Sequence, residues 1–569
     1  MRNENGKQKL KSPIDLAEYL FRRLHQMGVR SVHGVPGDYN LTALDYVEKA
    51  ELKWVGNVNE LNAAYAADGY ARLKGISAII TTFGVGELSA INGIAGAFAE
   101  HVPIVNIVGC PSRNAQRNQL MLHHTLGNAG FSIFSRMGSH ISCYIADLDN
   151  HDESEAPALI DKALRQCWVQ SKPTYIKLPT DMVGEKVEGE QLKTPIDLTE
   201  PKNEEQSEAD AVDAILRHVY AAKSSIILAD AGALRYGVLS EIYELARKTG
   251  LYIFVTPMGK GAISETDRLF GGVYAGHASL PEVKKHVEEA DLILCVGALM
   301  SDFNTGHFTS VATPSKTIYF HNTHCLVRWA EYRGLQMRWL LRKLTEAVDP
   351  QRLNRGSPPS AVLPISEHQG SSQAIKHSWL WPRLSEFLGH DDIVVTETGT
   401  ANFGILDTRF PTGVTPLSQV LWGSVGWSVG ALQGACLAAK DAGQDRRALL
   451  FVGDGSLQLT AQELGTIIRH GLKPLIFVIC NAGFTIERTV HGWEAVYNDI
   501  LQWDHEKLLE VFCSTPTRAK YHQVKTRDEL DKLLADTGFK APKHLHLVEL
   551  HMEKEDIPRA LKLTSQASG

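Results

Sequence analysis

The stretch from Leu449 to Glu487 constrains the fold more than any other part of the chain. The apolar run Leu449, Leu450, Phe451, Val452 reads as a buried strand and ends in Gly453-Asp454-Gly455-Ser456. A segment with helical spacing follows from Ala461 to Arg469, then a second apolar strand from Leu475 to Ile479 and the turn Asn481-Ala482-Gly483. That order is a βαβ unit with polar groups beyond the carboxyl ends of two parallel strands, where open α/β sheets place their binding sites. Asp454 offers a carboxylate, Asn481 an amide oxygen, and the glycines let main-chain atoms approach a ligand. Hard oxygen donors suit Mg²⁺ or Ca²⁺, and a magnesium ion held by so few protein groups shares its shell with phosphate. Ser456, just before the helix, would turn free N–H groups toward that phosphate. Each turn alone is ordinary turn chemistry. Both on consecutive parallel strands, followed by Glu487, predict a metal-bridged diphosphate site.

At 569 residues the chain has room for about three to four domains, each with its own core. A 44% hydrophobic share and 22% charged residues describe an ordinary folded chain. The net charge of -7, with no basic cluster interleaved with aromatics, argues against a nucleic-acid partner. The eight cysteines are scattered without a Cys-x-x-Cys pair. Cys295 and Cys480 sit inside apolar strands as small hydrophobes, which fits reduced thiols and a cytoplasmic location. Met1 to Lys7 is polar, and no apolar run is long enough to cross a bilayer, so no membrane association is expected.

Along the chain, helix-like and strand-like segments alternate in three blocks: 13–190, 208–350 and 376–555, with a tail 556–569. The pattern predicts an α/β fold of three domains, each a mostly parallel sheet flanked by helices. A helix from Ile14 to Met27 leads to a strand and a turn that presents Asp38. Asn59 is the predicted N-cap of a helix from Leu61 to Arg72, with Glu60 in its first turn. The strand Ser77 to Thr82 runs into Gly84-Val85-Gly86, which lacks the third glycine of a dinucleotide fingerprint. These glycines are expected to serve close packing at a domain interface. Pro- and Lys-rich residues from Leu198 to Glu208, and Gly356 to Ser372, read as linkers. In the middle block, strands are expected at Ser225 to Leu228, Tyr252 to Val255, Leu292 to Val296 and Thr317 to Phe320. With no cluster of titratable groups there, a scaffold role is expected.

Several segments resemble one family. Gly453-Asp454-Gly455-Ser456 with Asn481-Ala482-Gly483 resembles the diphosphate and magnesium motif of thiamine diphosphate enzymes. Asn57 to Arg72 and the pair His123-His124 resemble the activating segment and active-site histidines of pyruvate decarboxylases, the fungal ones most closely. The resemblance spans about Pro13 to Thr564. It implies thiamine diphosphate and Mg²⁺ as cofactors, with Asp454, Asn481 and Gly483 on the metal. It places Thr398, Thr400, Gly455, Ser456, Asn481, Phe484, Thr485 and Ile486 on the cofactor, Gly423 beside its amino group and Val425 as the wedge that bends it. Glu60 would contact the aminopyrimidine ring. Asp38, His123, His124 and Glu487 would handle protons, and Phe303, Asn402 and Ile486 would line the substrate pocket. The implied reaction is the non-oxidative decarboxylation of a 2-keto acid, pyruvate to acetaldehyde and CO₂, through a ylid and an enamine. Glu60 and Asp454 would meet across a subunit boundary, so a dimer or a dimer of dimers is expected.

The departures are specific. Ala482 stands where the family has Asp, Phe484 where Tyr is frequent, and Val425 is a smaller wedge than Ile, Leu or Met. Asp230-Ala231-Gly232-Ala233 lacks the cysteines that some yeast relatives carry, which puts thiol-based substrate activation in doubt. A phenylpyruvate or indolepyruvate decarboxylase, a carboligase of the acetolactate synthase kind, and a non-catalytic regulatory paralogue remain alternative readings. A carboxyl in a dry cleft tends toward a raised pKa, so Glu487 is expected to donate while Glu60 stays in its pyrimidine hydrogen bond.

Overall fold

The computed structural model describes residues 10–152, 154–354, 358–359, 373–513 and 518–567. Of the linker expected from Gly356 to Ser372, only Pro358 and Pro359 lie within these residues, and Met1 to Lys7 lies outside them. Three sheets organise the chain. The first has six parallel strands in the order Lys53–Trp54, Ser31–Gly34, Ser77–Thr82, Ile104–Cys110, Thr174–Pro179, Ile145–Asp147. Every residue of Ser77–Thr82 and Ile104–Cys110 is buried. Helices cover both faces of a parallel sheet, so its strands read as continuous apolar runs rather than alternating ones. The helix expected from Ile14 to Met27 spans Leu16–Gln26, and an added antiparallel pair joins Pro13–Asp15 to Lys186–Glu188.

The middle sheet has seven strands. The expected ones appear as Ser225–Ala229, Ile253–Val255, Leu292–Val296 and Thr317–Phe320. Phe270–Val273 and the antiparallel hairpin His324–Val327 with Ala330–Arg333 were not foreseen. Phe270–Val273 carries two glycines of low strand propensity, and Gly271 is required because a Cβ there would lie 2.5 Å from the Phe254 ring. The expected linker at Leu198 to Glu208 runs into the helix Glu205–Ala221, which Glu204 caps through its carboxylate.

The third sheet has six parallel strands: Thr415–Ser418, Ile393–Thr396, Ala448–Gly453, Leu475–Cys480, Leu545–His551 and Ala519–Val524. The helix read from Ala461 to Arg469 starts earlier than expected. Helix Asp454–Thr460 begins directly after the strand and Glu463–Arg469 continues it, so Ser456 lies inside the first turn rather than before the helix. Gly455 gave the segment a turn-like composition, but the Asp454 carboxylate favours helix at the positive end of the dipole. The tail expected to close the chain forms helix Arg559–Ala567.

The first and third sheets are locked by two helices rich in small residues, Glu60–Lys74 and Trp427–Asp441. Built on Gly434, a Cβ would fall 1.8 Å from the Ala66 carbonyl oxygen; on Gly69, 2.0 Å from that of Ala431. Backbone therefore touches backbone. Arg72, beside the seam, donates to Asp68, to Glu100 and to the Ser418 carbonyl, and stacks on Trp427. The other oxygen of Glu100 accepts from the N–H groups of Val420 and Leu421. A buried charge network of this kind fixes one relative placement, since removing either sign leaves the other unpaired. Gly434→Ala is expected to destabilise the fold by about 1–3 kcal/mol in chemical unfolding; an unchanged midpoint would contradict this packing.

Candidate active site

The strands Ile393–Thr396, Ala448–Gly453 and Leu475–Cys480 end side by side, and the segments after them line one cleft. Thr398 and Thr400 line it from the first end, Gly455 and Ser456 from the second, and Val425 from the loop after strand Thr415–Ser418. Asn481, Gly483, Phe484, Thr485, Ile486 and Glu487 line it from the third.

Asp454 sits beneath this lining, buried. One carboxylate oxygen accepts from the N–H of Gly455, and the other from those of Asn481 at 3.1 Å and Ala482 at 2.8 Å. Burial raises its pKa, while the N–H donors oppose that rise. Arg488, also buried, takes the carbonyls: it donates to Asn481 O at 3.0 Å, to Ala482 O, and to Asp499 at 2.6 Å. The Asn481 amide nitrogen donates to Thr485 Oγ1 at 2.8 Å, which leaves its amide oxygen for a metal. At Gly483 φ is 136°, and a Cβ would fall 2.1 Å from Asn498 O, so only glycine fits. Ala482 also has a left-handed φ, 62°, which costs an alanine more than it costs glycine, Asn or Asp.

Glu397 and Arg488 were missed from sequence. Glu397 forms the cleft floor and is 1% exposed. Its carboxylate accepts from the N–H of Thr398, Gly426 and Ser428 and from the Ser428 hydroxyl. Burial pushes its carboxyl up to about 7 despite these donors. The signal was available: a charged residue directly after the fully buried strand Ile393–Thr396. Gly423, at φ 62°, does not line the cleft itself but stands two residues before Val425. Between them Ser424 bonds to the Tyr65 hydroxyl at 2.6 Å, tying this loop to helix Glu60–Lys74.

A second pocket adjoins the cleft through Thr398, Gly399 and Ile486, and Phe303, Asn402 and Ile486 all line it. Phe303 stands edge-on to Phe403 at 5.4 Å, and Asn402 is held by Thr396 and the Gln419 carbonyl. The middle block thus contributes a side chain to the site.

The remaining expected residues form a separate group in the first block. Asp38 is hydrogen-bonded to His123 Nε2 and lies 3.8 Å from His124 Nε2, and Tyr39 stacks on His123. Glu60 begins its helix, behind the Asn59 cap that accepts from Asn62 N–H. Burial raises the Glu60 carboxyl. The Gly84-Val85-Gly86 turn corrects the domain-interface expectation: it packs within the first block. A Cβ on Gly84 would fall 2.2 Å from His124 O, and one on Gly86 3.1 Å from Glu60 Oε1. None of Asp38, Glu60, His123 and His124 lines the cleft that holds Glu487.

A dinucleotide or nucleoside-triphosphate site would not explain two glycine-lined turns above a buried carboxylate with an adjoining aromatic pocket. The arrangement defines a thiamine diphosphate enzyme. Family models agree: "Thiamine pyrophosphate enzyme, N-terminal TPP binding domain" matches residues 14–130, the corresponding central domain 212–325, and the "C-terminal TPP binding domain" 399–546. The chain is 54% identical to a pyruvate decarboxylase of Aspergillus fumigatus, over 100% of this chain and 99% of the relative. It is 47% identical to pyruvate decarboxylase isozyme 2 of Saccharomyces cerevisiae, over 98% of each. The chain belongs to the pyruvate decarboxylase family of thiamine pyrophosphate enzymes.

The residues present fit thiamine diphosphate and Mg²⁺: the Asp454 carboxylate is bonded to the loop that carries the Asn481 amide and Gly483, a position only glycine can occupy. Three outcomes follow. Ala482→Asn should raise stability by about 1 kcal/mol by relieving the left-handed alanine, read as a higher midpoint in urea. Val425→Ile should tighten retention of the diphosphate by restoring about one methylene, on the order of 1 kcal/mol; equal apparent affinity would contradict the wedge. Glu397 has a folded pKa above its unfolded value, so its contribution is full below the unfolded pKa and is lost as pH rises through the folded one. The cofactor-free protein should therefore lose stability between about pH 4.5 and pH 7 relative to Glu397→Gln, by an amount on the order of 3 kcal/mol.

Proposed function

We propose that the protein decarboxylates 2-keto acids without oxidation, pyruvate foremost, releasing acetaldehyde and CO₂. The observation that carries this reading is the meeting of Asp454, Asn481 and Gly483 with an adjoining pocket lined by Phe303, Asn402 and Ile486. Thiamine diphosphate, when bound, supplies the nucleophile for the keto carbon and takes up the electrons left by departing CO₂. Asp454, Asn481 and Gly483 would hold Mg²⁺. Thr398, Thr400, Gly455, Ser456, Phe484, Thr485 and Ile486 would embrace the diphosphate and rings, with Gly423 beside the amino group and Val425 as the wedge. Glu60, its carboxyl raised by burial, would hydrogen-bond the pyrimidine. Glu487, with the Asp38, His123 and His124 group, would move protons at the substrate; a carboxyl and an imidazole can each both give and take a proton. Phe303, Asn402 and Ile486 together set the size of the pocket that would receive the substrate side chain, and that size decides between a small keto acid and an indole-bearing one.

The four first-block residues and the cleft complete one site only if two copies meet. Exposed apolar side chains flank both halves, Leu41, Val58 and Val85 near the first and Trp422, Leu459 and Tyr497 near the second. A dimer, or a dimer of dimers, is the form we propose, with domains at 13–190, 208–350 and 376–555 and a tail at 556–569. Among the described residues no helix is long and apolar enough to cross a membrane. The cytoplasmic location we propose is supported by buried thiols such as Cys110, Cys167, Cys295 and Cys325, none of which is in a disulfide.

Acetaldehyde should be the main product from pyruvate, with phenylpyruvate turned over more slowly on the same preparation; acetolactate as the main product would favour the carboligase reading. Glu60→Gln and Glu487→Gln should each be nearly inactive. Mixed and reassembled, they should regain about a quarter of wild-type sites, because half of a random dimer population is mixed and each mixed dimer holds one intact pair. No recovery would place both carboxyls in a single-chain site.

A further inference from the structure

Strand Leu475–Cys480 ends in Cys480, one residue before Asn481, and Cys480 does not line the cofactor cleft. In the parallel ladder Cys480 pairs with His551 and Val478 with Glu549, so Cys480, Glu549 and His551 share one face of the sheet. His505, the first residue of helix His505–Phe512, lies against that face. The Cys480 sulfur, a ring nitrogen of His505 and a carboxylate oxygen of Glu549 all lie within 4.8 Å of one another.

The imidazole of His505 supplies an independent observation. Its side chain is 3% exposed, and neither ring nitrogen has a hydrogen-bond partner; Nδ1 stands 3.6 Å from Glu549 Oε1. The Nε2 of His551 is likewise buried without a hydrogen bond, 3.5 Å from the same oxygen. A buried imidazole with both nitrogens unpartnered, facing a carboxylate oxygen that the buried Nε2 of the half-exposed His551 also approaches, beside a thiol, is a costly arrangement unless something occupies the space between them. Tyr521 donates its hydroxyl to the other Glu549 oxygen, which turns Oε1 toward the histidines.

We propose that Cys480, His505 and Glu549 form a three-ligand zinc site, with its fourth position left to solvent. The donor set is one sulfur, imidazole nitrogen and one carboxylate oxygen, which suits a tetrahedral zinc ion and not the all-oxygen shells of Mg²⁺ or Ca²⁺. Tyr521 is the outer partner that orients the carboxylate, as such partners do for metal ligands. The ion would clamp Leu475–Cys480, Leu545–His551 and helix His505–Phe512 at the strand end that carries Asn481. The site is separate from the diphosphate cleft and does not depend on the reaction assigned to it.

The test uses the full-length protein saturated with thiamine diphosphate and excess Mg²⁺, incubated with zinc chloride, gel-filtered and assayed for metal. Wild type should retain roughly one zinc per chain, and Cys480→Ser and His505→Gln should each retain roughly tenfold less or lower. Cobalt(II) in place of zinc should give wild type a thiolate-to-cobalt charge-transfer band and strong tetrahedral visible absorption, both lost in Cys480→Ser. The cobalt spectrum of wild type decides even if His505→Gln fails to fold. Equal zinc in wild type and Cys480→Ser, or a cobalt spectrum without the thiolate band, would overturn the proposal.

Discussion

A buried carboxylate and a buried guanidinium hold the loop from Asn481 to Gly483 from opposite sides. Asp454 accepts the peptide N–H groups of Asn481 and Ala482, and Arg488 donates to the carbonyls of the same two residues. Hydrogen bonds to charged groups contribute about 1.5–3 kcal/mol each, enough to hold Ala482 in a backbone conformation that alanine resists. With its main chain engaged in this way, the loop can offer the cleft only the Asn481 side chain and the Gly483 backbone. The loop is thus shaped from one side by Asp454, itself one of the proposed metal ligands, and from the other by Arg488, which is not.

A second constraint sets where that site stands relative to Glu60. The helix that Glu60 begins is pressed, backbone to backbone, on Trp427–Asp441, whose N-terminal approach runs through Gly423 and Val425. Arg72 and Glu100 secure the contact, and Glu100 reaches the loop at Val420 and Leu421. One chain therefore carries Glu60 and the diphosphate cleft at a fixed separation. In a two-fold pairing the same patch on each copy faces the other, so a single rigid seam would set two sites at once.

The sequence was most readable where chemistry and periodicity coincided. Strands of the parallel sheets are buried on both faces, and apolar runs such as Leu475 to Ile479 located them within a residue. Asn59 declared its helix by capping chemistry. Asp454, Asn481 and Gly483 stood out as candidate ligands because a carboxylate, an amide and a glycine beyond strand ends have few structural reasons to recur together. Phe270–Val273 escaped because its glycines are chosen for contact with Phe254, a tertiary fact without local trace. Arg488 escaped because a charged residue on a short helix reads as solvated surface, and only the fold shows it buried against two carbonyls. Gly84 and Gly86 were recognised as close-packing positions, but not that Glu60 and His124 were what they pack against.

The central claim is that the cofactor is held by one chain through Asp454, Asn481 and Gly483 and activated by the other through Glu60. A crystal structure of the protein with thiamine diphosphate and Mg²⁺ tests it most directly. The account predicts the ion bonded to oxygens of those three residues and the carboxylate of Glu60 of the partner subunit hydrogen-bonded to the pyrimidine. An ion bound elsewhere, or a pyrimidine met by no carboxylate of residue 60, would contradict it.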